Sequence, residues 1–191
     1  MTTADKVTLS RILLAPLFFI IYRVRGSAPL PSTILLWILF WVMEISDYID
    51  GRIARASSEV SDFGKLFDPF ADVMARVTYF VCFAFEGIMP LWVFLIILYR
   101  EFGILFLRML LSFKGIAMGA RPGGKLKAGL YMISGLLALL LGSLEFVPAL
   151  QNLSSILYVV VQVAFFAAGF VSLASFVDYL VQYRKLTAGK R

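Results

Sequence analysis

The chain has no histidine and a single cysteine, Cys82, among its 191 residues. Their absence excludes zinc held by histidine or thiolate clusters, haem on a histidine ligand, Ser-His-Asp and Cys-His nucleophiles, and a disulfide framework. Charge is scarce too. Asp, Glu, Lys and Arg make up 16% of the residues, where an average globular domain carries about 25%. With 61% hydrophobic residues and a mean hydropathy of +0.89, neither an ordinary water-soluble domain nor a disordered chain fits. Internal repeats and low-complexity tracts are lacking, and the opening MTTADK is too short and polar for a signal peptide. Any chemistry must therefore come from carboxylates, Lys and Arg, hydroxyls and bound metal.

What is abundant is apolar sequence in long runs, at about 7–23, 29–54, 64–87, 90–113, 126–144 and 153–182. A spanning helix needs roughly 20 mostly apolar residues. Turn formers separate the runs: Gly26, Pro29 and Pro31, then Gly87 and Pro90, then Gly115 to Gly124, then Pro148 and Asn152. No run alternates with period two, so a membrane barrel is excluded. The expectation is an all-α integral membrane bundle of six transmembrane helices, forming one domain over residues 1–191. Of the 18 basic residues, 13 fall on the side of the N-terminus, Arg11 and Lys127 included. Two (Arg23 and Arg25) fall on the other side, and Arg76, Arg100 and Arg108 lie within spans. The bias places both termini in the cytoplasm. It also makes the net charge of +6 a topology signal and a match to anionic lipid, with no soluble basic region to bind nucleic acid. Arg184, Lys185, Lys190 and Arg191 read as a lipid-facing anchor, and the aromatics as mostly lipid-facing or interfacial.

Of the 12 acidic residues, seven lie between 44 and 72: Glu44, Asp47, Asp50, Glu59, Asp62, Asp68 and Asp72. A carboxylate at mid-bilayer costs about 2.5–3.5 kcal/mol on insertion scales, so the group marks a functional polar cavity. Asp47, Gly51 and Arg55 follow at intervals of four, with Asp50 three after Asp47, on one face of the second helix. Gly64, Asp68 and Asp72 repeat the interval on the third. Two acidic faces joined by a short polar turn can oppose one another, and four carboxylates in low dielectric repel unless cations sit among them. Oxygen ligands without His or Cys point to Mg²⁺ or Mn²⁺. Gly51, Ala54 and Gly64 leave room beside the acids. Interhelical ion pairs with Arg52, Arg55 or Arg76 are the structural alternative, a divalent-cation transporter the functional one; a scaffold explains none of the buried charge.

The pattern Asp47-x2-Asp50-Gly51-x2-Ala54-Arg55-x8-Gly64-x3-Asp68-x3-Asp72 resembles the signature of the CDP-alcohol phosphatidyltransferases, with all eight positions filled. The stretches VTLSRILLAPLF, SDYIDGRIAR, VSDFGKLFDPFAD, Arg100-Glu101 and GGKLKAGLYM are similar to the phosphatidylglycerophosphate synthase branch of that family. The chain departs from the usual pattern at Asp5, Val73 and Ala128, where Asn, Lys and Thr are common. The resemblance implies a six-helix homodimer in the membrane. Its activity would be transfer of a phosphatidyl group from CDP-diacylglycerol to an alcohol, with release of CMP. It further implies two Mg²⁺ or Mn²⁺ ions on Asp47, Asp50, Asp68 and Asp72, with Asp72 as a further ligand or the catalytic base. Gly51, Ala54, Arg55 and Gly64 would line the nucleotide pocket. Ala164, Ala168 and Gly169 are small enough for helix contacts in such a dimer. The expected acceptor is a phosphorylated alcohol, glycerol 3-phosphate, with inositol phosphate, inositol, serine and phosphatidylglycerol as alternatives. Its phosphate needs cations beside the carboxylates, and the candidates are Arg108, Arg121, Lys125 and Lys127. Arg108 is the sharpest, since an unpartnered guanidinium within an apolar span is costly and Arg grips phosphate bidentately.

Overall fold

The computed structural model describes residues 3–56, 62–116, 122–144, 146 and 148–188, with side chains outside 3–7, 47–56, 62–66, 122, 125 and 148–150. Among the described residues there are six α-helices and no strand. They are α1 (Thr3–Val24), α2 (Pro29–Ala56), α3 (Asp62–Phe85), α4 (Leu91–Phe113), α5 (Pro122–Leu144) and α6 (Ser154–Ala188), with 3-10 turns at Arg25–Ser27 and Pro148–Leu153. Each helix falls on one of the apolar runs. α3 and α4 end where the sequence places glycine. Gly87 and Gly115 take positive φ, 73° and 65°, which only glycine adopts without steric cost. Behind each the chain turns back in a Schellman motif. Ile88 N–H reaches Phe83 O at 2.9 Å, and Ile116 N–H reaches Leu111 O at 2.9 Å.

Three stretches are long and apolar enough to cross a membrane by length and composition: Pro29–Ser46 in α2, Leu126–Leu144 in α5 and Gln151–Ala188 around α6. The other three helices interrupt their apolar runs with charge, and much of that charge turns inward. Arg11 on α1 is 2% exposed, and Arg100 and Glu101 on α4 are each 5% exposed. α1 packs against α2 and α3, α4 against α3 and α6, and α5 lies along α6.

The core is an aromatic ladder. Tyr79 stacks edge-on to Phe80 at 4.8 Å, and Phe80 meets Tyr131 at 5.4 Å and Phe165 at 5.8 Å. The aromatics are therefore divided between the interior and the outer surface, where the sequence alone suggested mostly the outside. Apolar lipid gives helices no hydrophobic reason to associate, so close ring packing supplies the contact. Small residues make that approach possible. A Cβ on Gly135 would lie 3.1 Å from Phe40 and 3.2 Å from Tyr79, and one on Gly169 would lie 3.1 Å from Val93. Ala168 and Gly169 are buried within the one chain, Gly169 against Val93 of α4, so the small residues expected at a helix contact serve one inside the bundle.

Candidate active site

α3 is the spine of the site. Asp68 and Asp72 share one of its faces, one turn apart, and Pro69 between them removes a backbone donor from the helix. Each carboxylate is met by α1. The Thr8 hydroxyl donates to Asp68 Oδ1 at 2.7 Å, and Arg11 Nη1 pairs with Asp72 Oδ1. Arg11 Nε also donates to Ser46 Oγ on α2 at 3.2 Å, and Ser46 Oγ donates to Met43 O at 2.9 Å. Thr8 and Arg11 are three apart on α1 and are 0% and 2% exposed, so one helical turn of α1 orients both acids.

Asp47, Asp50, Gly51, Ala54 and Arg55 belong to the last turns of α2 and Gly64 to the first turn of α3, but their side chains lie outside those described. Arg121 lies outside the described residues, as does the Lys125 side chain. Among the described residues no three carboxylates converge. Glu44 is accounted for otherwise, accepting from the Tyr79 hydroxyl at 3.0 Å.

Beside Asp72 a cavity of about 240 Å³ opens between α3, α4, α5 and α6. Its charged lining is Asp72, Arg76, Arg100, Glu101, Arg108 and Lys127, four cations to two carboxylates. Glu101 serves two of the cations: Arg100 Nη1 donates to its Oε1 at 3.0 Å and Lys127 Nζ donates to the same oxygen at 2.7 Å. Arg100 Nη2 donates to Ser175 Oγ at 2.7 Å, and Arg108 Nη2 donates to the Tyr179 hydroxyl at 3.3 Å. The Nε atoms of Arg100 and Arg108 are buried and have no hydrogen-bond partner among the described residues. A buried, unused guanidinium donor costs free energy, and both arginines line this cavity, whose surplus of cations makes it a place where an anion would be welcome. Val73 and Ala128, two of the positions at which the chain departs from the family pattern, line the same cavity.

The structure thus brings Asp72, Arg108 and Lys127 together. It also overturns part of the charge assignment, because Arg11, counted only towards membrane topology, is buried beside Asp72, while Lys127, counted there as well as among the acceptor candidates, is buried in the site. Thr8, Arg11, Ser175 and Tyr179 escaped the sequence as site residues. The only sequence signal for the first two was a polar pair at a one-turn interval in an apolar run. Elsewhere in the bundle Glu86 pairs with Arg25 at 2.6 Å. That pair lines a larger cavity of about 840 Å³ with Tyr22 and Phe146. On α1 it lies 11 to 14 residues from Thr8 and Arg11, or about 20 Å along the bundle, and it includes no signature residue.

The family model for CDP-alcohol phosphatidyltransferases matches residues 1–171. The chain is 42% identical over 151 residues to the CDP-diacylglycerol--glycerol-3-phosphate 3-phosphatidyltransferase of Treponema pallidum, a match covering 75% of this chain and 67% of that one. It is 33% identical to the Bacillus subtilis protein of the same name, over 74% of this chain and 78% of that one. It is also 32% identical to a cardiolipin synthase (CMP-forming) of Streptomyces coelicolor, over 53% of this chain and 47% of that one. With apolar helices long enough to span a bilayer and this kinship, the chain is an integral membrane protein. The match over most of its length, on a fold whose third helix carries the signature acids at the edge of a cationic cavity, makes the chain a member of the CDP-alcohol phosphatidyltransferase family.

Proposed function

We propose that the chain transfers the phosphatidyl group of CDP-diacylglycerol to glycerol 3-phosphate and releases CMP, at the cytoplasmic face of a bacterial membrane. The observation that carries this reading is the cavity beside Asp72, whose four cations exceed its two carboxylates by two charges. A phosphate monoester brings about two negative charges at neutral pH, so a phosphorylated alcohol such as glycerol 3-phosphate or inositol phosphate matches the surplus, whereas serine and inositol bring no such charge; the names of the relatives favour glycerol 3-phosphate. The acceptor hydroxyl would attack the phosphorus bonded to the lipid. The new P–O bond forms as the anhydride bond to CMP breaks, and the hydroxyl proton passes to a carboxylate, for which Asp72 is the candidate. Arg11 holds the Asp72 carboxylate in place and Thr8 holds that of Asp68.

The donor set suits a hard cation. Asp68 and Asp72 offer oxygen atoms on one helix face, and the chain has no histidine to favour zinc. Asp47, Asp50, Asp68 and Asp72 would hold two Mg²⁺ or Mn²⁺ ions, which when bound would neutralise charge on the diphosphate. Gly51, Ala54, Arg55 and Gly64 would border the cytidine nucleotide, and Lys125 and Arg121 would add to the acceptor's cations. The active unit would be a homodimer. The likeness to a cardiolipin synthase makes phosphatidylglycerol the second acceptor to consider.

The test is CMP release by the purified protein from CDP-diacylglycerol with Mg²⁺ and one acceptor at a time: glycerol 3-phosphate, inositol 1-phosphate, inositol, serine or phosphatidylglycerol. Release that depends on glycerol 3-phosphate and stops with EDTA is expected. Release that depends on another acceptor, or absence of release with any of them, would overturn the assignment.

A further inference from the structure

The inward face of α6 changes character along its length. Its buried positions run Val161, Phe165, Ala168 and Gly169, and then Ser172, Ser175 and Tyr179. The intervals of three and four keep all seven on one stripe, so the helix is apolar inward over its first half and polar inward over its second. The matched family range ends at residue 171, so the polar half lies just beyond it. Buried hydroxyls in a membrane helix are retained where they have partners to satisfy, and here each has one. Ser172 Oγ and the Tyr131 hydroxyl are 2.5 Å apart. Ser175 Oγ accepts from Arg100 Nη2 at 2.7 Å. The Tyr179 hydroxyl accepts from Arg108 Nη2 at 3.3 Å.

Tyr179 does more than accept one bond. Its ring lies beneath both guanidinium groups, 5.6 Å from the Arg100 carbon and 5.9 Å from that of Arg108, within the range of cation–π attraction. It is 2% exposed and borders the cavity. α5 faces both Tyr179 and Ser175 with glycine: a Cβ on Gly124 would sit 3.5 Å from the Tyr179 oxygen and one on Gly123 3.7 Å from Ser175, ordinary contact distances. The two arginines whose Nε atoms lack partners among the described residues are therefore each braced on another nitrogen by α6.

We propose that Ser175 and Tyr179 are positioning residues for the phosphate of the acceptor. They fix Arg100 and Arg108 as a pair of forks whose remaining donors face one anion. The inference rests on the proposed function, in that the anion is the phosphate monoester of the acceptor alcohol. Two like charges held over one ring repel when the cavity is empty, and the phosphate relieves that repulsion. The braces are then felt at the acceptor and not at the lipid nucleotide.

The experiment uses full-length protein in detergent with glycerol 3-phosphate and CDP-diacylglycerol varied separately, together with equilibrium binding of radiolabelled glycerol 3-phosphate. Tyr179→Phe keeps the ring and loses the acceptor oxygen, and should raise KM for glycerol 3-phosphate about three- to tenfold. Ser175→Ala strands a donor on Arg100 and should raise it about tenfold or more, while Ser175→Thr restores the hydroxyl and most of the affinity. Tyr179→Leu, which removes both ring and hydroxyl, should exceed Tyr179→Phe. In each case KM for CDP-diacylglycerol stays within about twofold, and binding of labelled glycerol 3-phosphate falls in step with KM. Unchanged acceptor kinetics in Ser175→Ala and Tyr179→Phe, beside a loss in Arg108→Ala, would overturn the bracing role and leave the acceptor assignment intact. Equal loss for both substrates, or loss of folded protein in Tyr179→Phe and Ser175→Ala alike, would make α6 a structural prop only and would also overturn it. A wild-type protein that neither binds nor uses glycerol 3-phosphate would instead overturn the reading on which the proposal stands.

Discussion

Asp68 and Asp72 look equivalent in the sequence, one turn apart on one helix, yet they differ in what holds them. Asp68 takes a neutral hydroxyl from Thr8, while Asp72 takes a guanidinium that is itself 2% exposed. Their removal should differ accordingly. Either Asp→Asn change should abolish CMP release. Asp72→Asn should also destabilise the protein by about 1.5–3 kcal/mol, because it takes a charged partner from a buried Arg11. Asp68→Asn relieves negative charge in a crowded site and should leave the melting temperature unchanged or raise it. Melting curves of the two variants in EDTA decide this, and an equal effect would mean that Arg11 is satisfied elsewhere. Thr8→Val should slow turnover about 10- to 100-fold, as loss of an outer hydrogen bond on a metal-binding carboxylate does, with Thr8→Ser close to wild type. Equal rates in Thr8→Val and the wild type would remove Thr8 from the site.

At the scale of the elements, most of the helix layout was legible in the sequence. Long apolar runs bounded by Gly and Pro are a local signal, and Gly87 and Gly115 close their helices by a backbone geometry that their lack of a side chain permits. The signature acids were legible for the same reason, since intervals of three and four put them on one face without reference to the rest of the fold. The acceptor cavity was legible only in part. Arg108 stood out as a charge in an apolar run, but Ser175 and Tyr179 come from a helix more than 60 residues further along, and a serine in an apolar helix says nothing of what it will face. Arg11 was misassigned because a cation near the end of a run reads alike whether it meets lipid phosphate or an interior carboxylate. Close packing was equally hidden. Gly135 read as one small residue in an apolar stretch, whereas the fold sets it between Phe40 and Tyr79, both 0% exposed. Gly135→Ala should therefore cost about 1–3 kcal/mol, as overpacking of a filled core does. A melting temperature in detergent equal to wild type would show that the rings can yield.

Across the whole molecule, charge is arranged along the bundle axis. The signature acids and the basic cavity lie at one end, and the Arg25–Glu86 pair lies at the other. α6, at 35 residues, is about 52 Å long against a hydrocarbon layer of about 30 Å, so its last turns, with Arg184 and Lys185, run past the membrane on the site's side. The basic bias of the loops is the ground for the proposal that this end faces the cytoplasm. Cysteines introduced at exposed Lys114 and Ser27 report the orientation, since Cys82 is 1% exposed and gives little background. An impermeant maleimide applied to intact cells should label Ser27→Cys and spare Lys114→Cys, and the opposite pattern would invert the topology and put the site on the wrong side for a cytidine nucleotide. The central claim is that one end of this bundle holds the acceptor's phosphate in the cationic cavity beside Asp72. Its most direct test is the KM of Arg108→Ala for each substrate. Losing one charge-assisted phosphate contact, about 1.5–3 kcal/mol, should raise KM for glycerol 3-phosphate roughly 10- to 150-fold and leave KM for CDP-diacylglycerol within about twofold. Unaltered acceptor kinetics, or a loss confined to CDP-diacylglycerol, would contradict it.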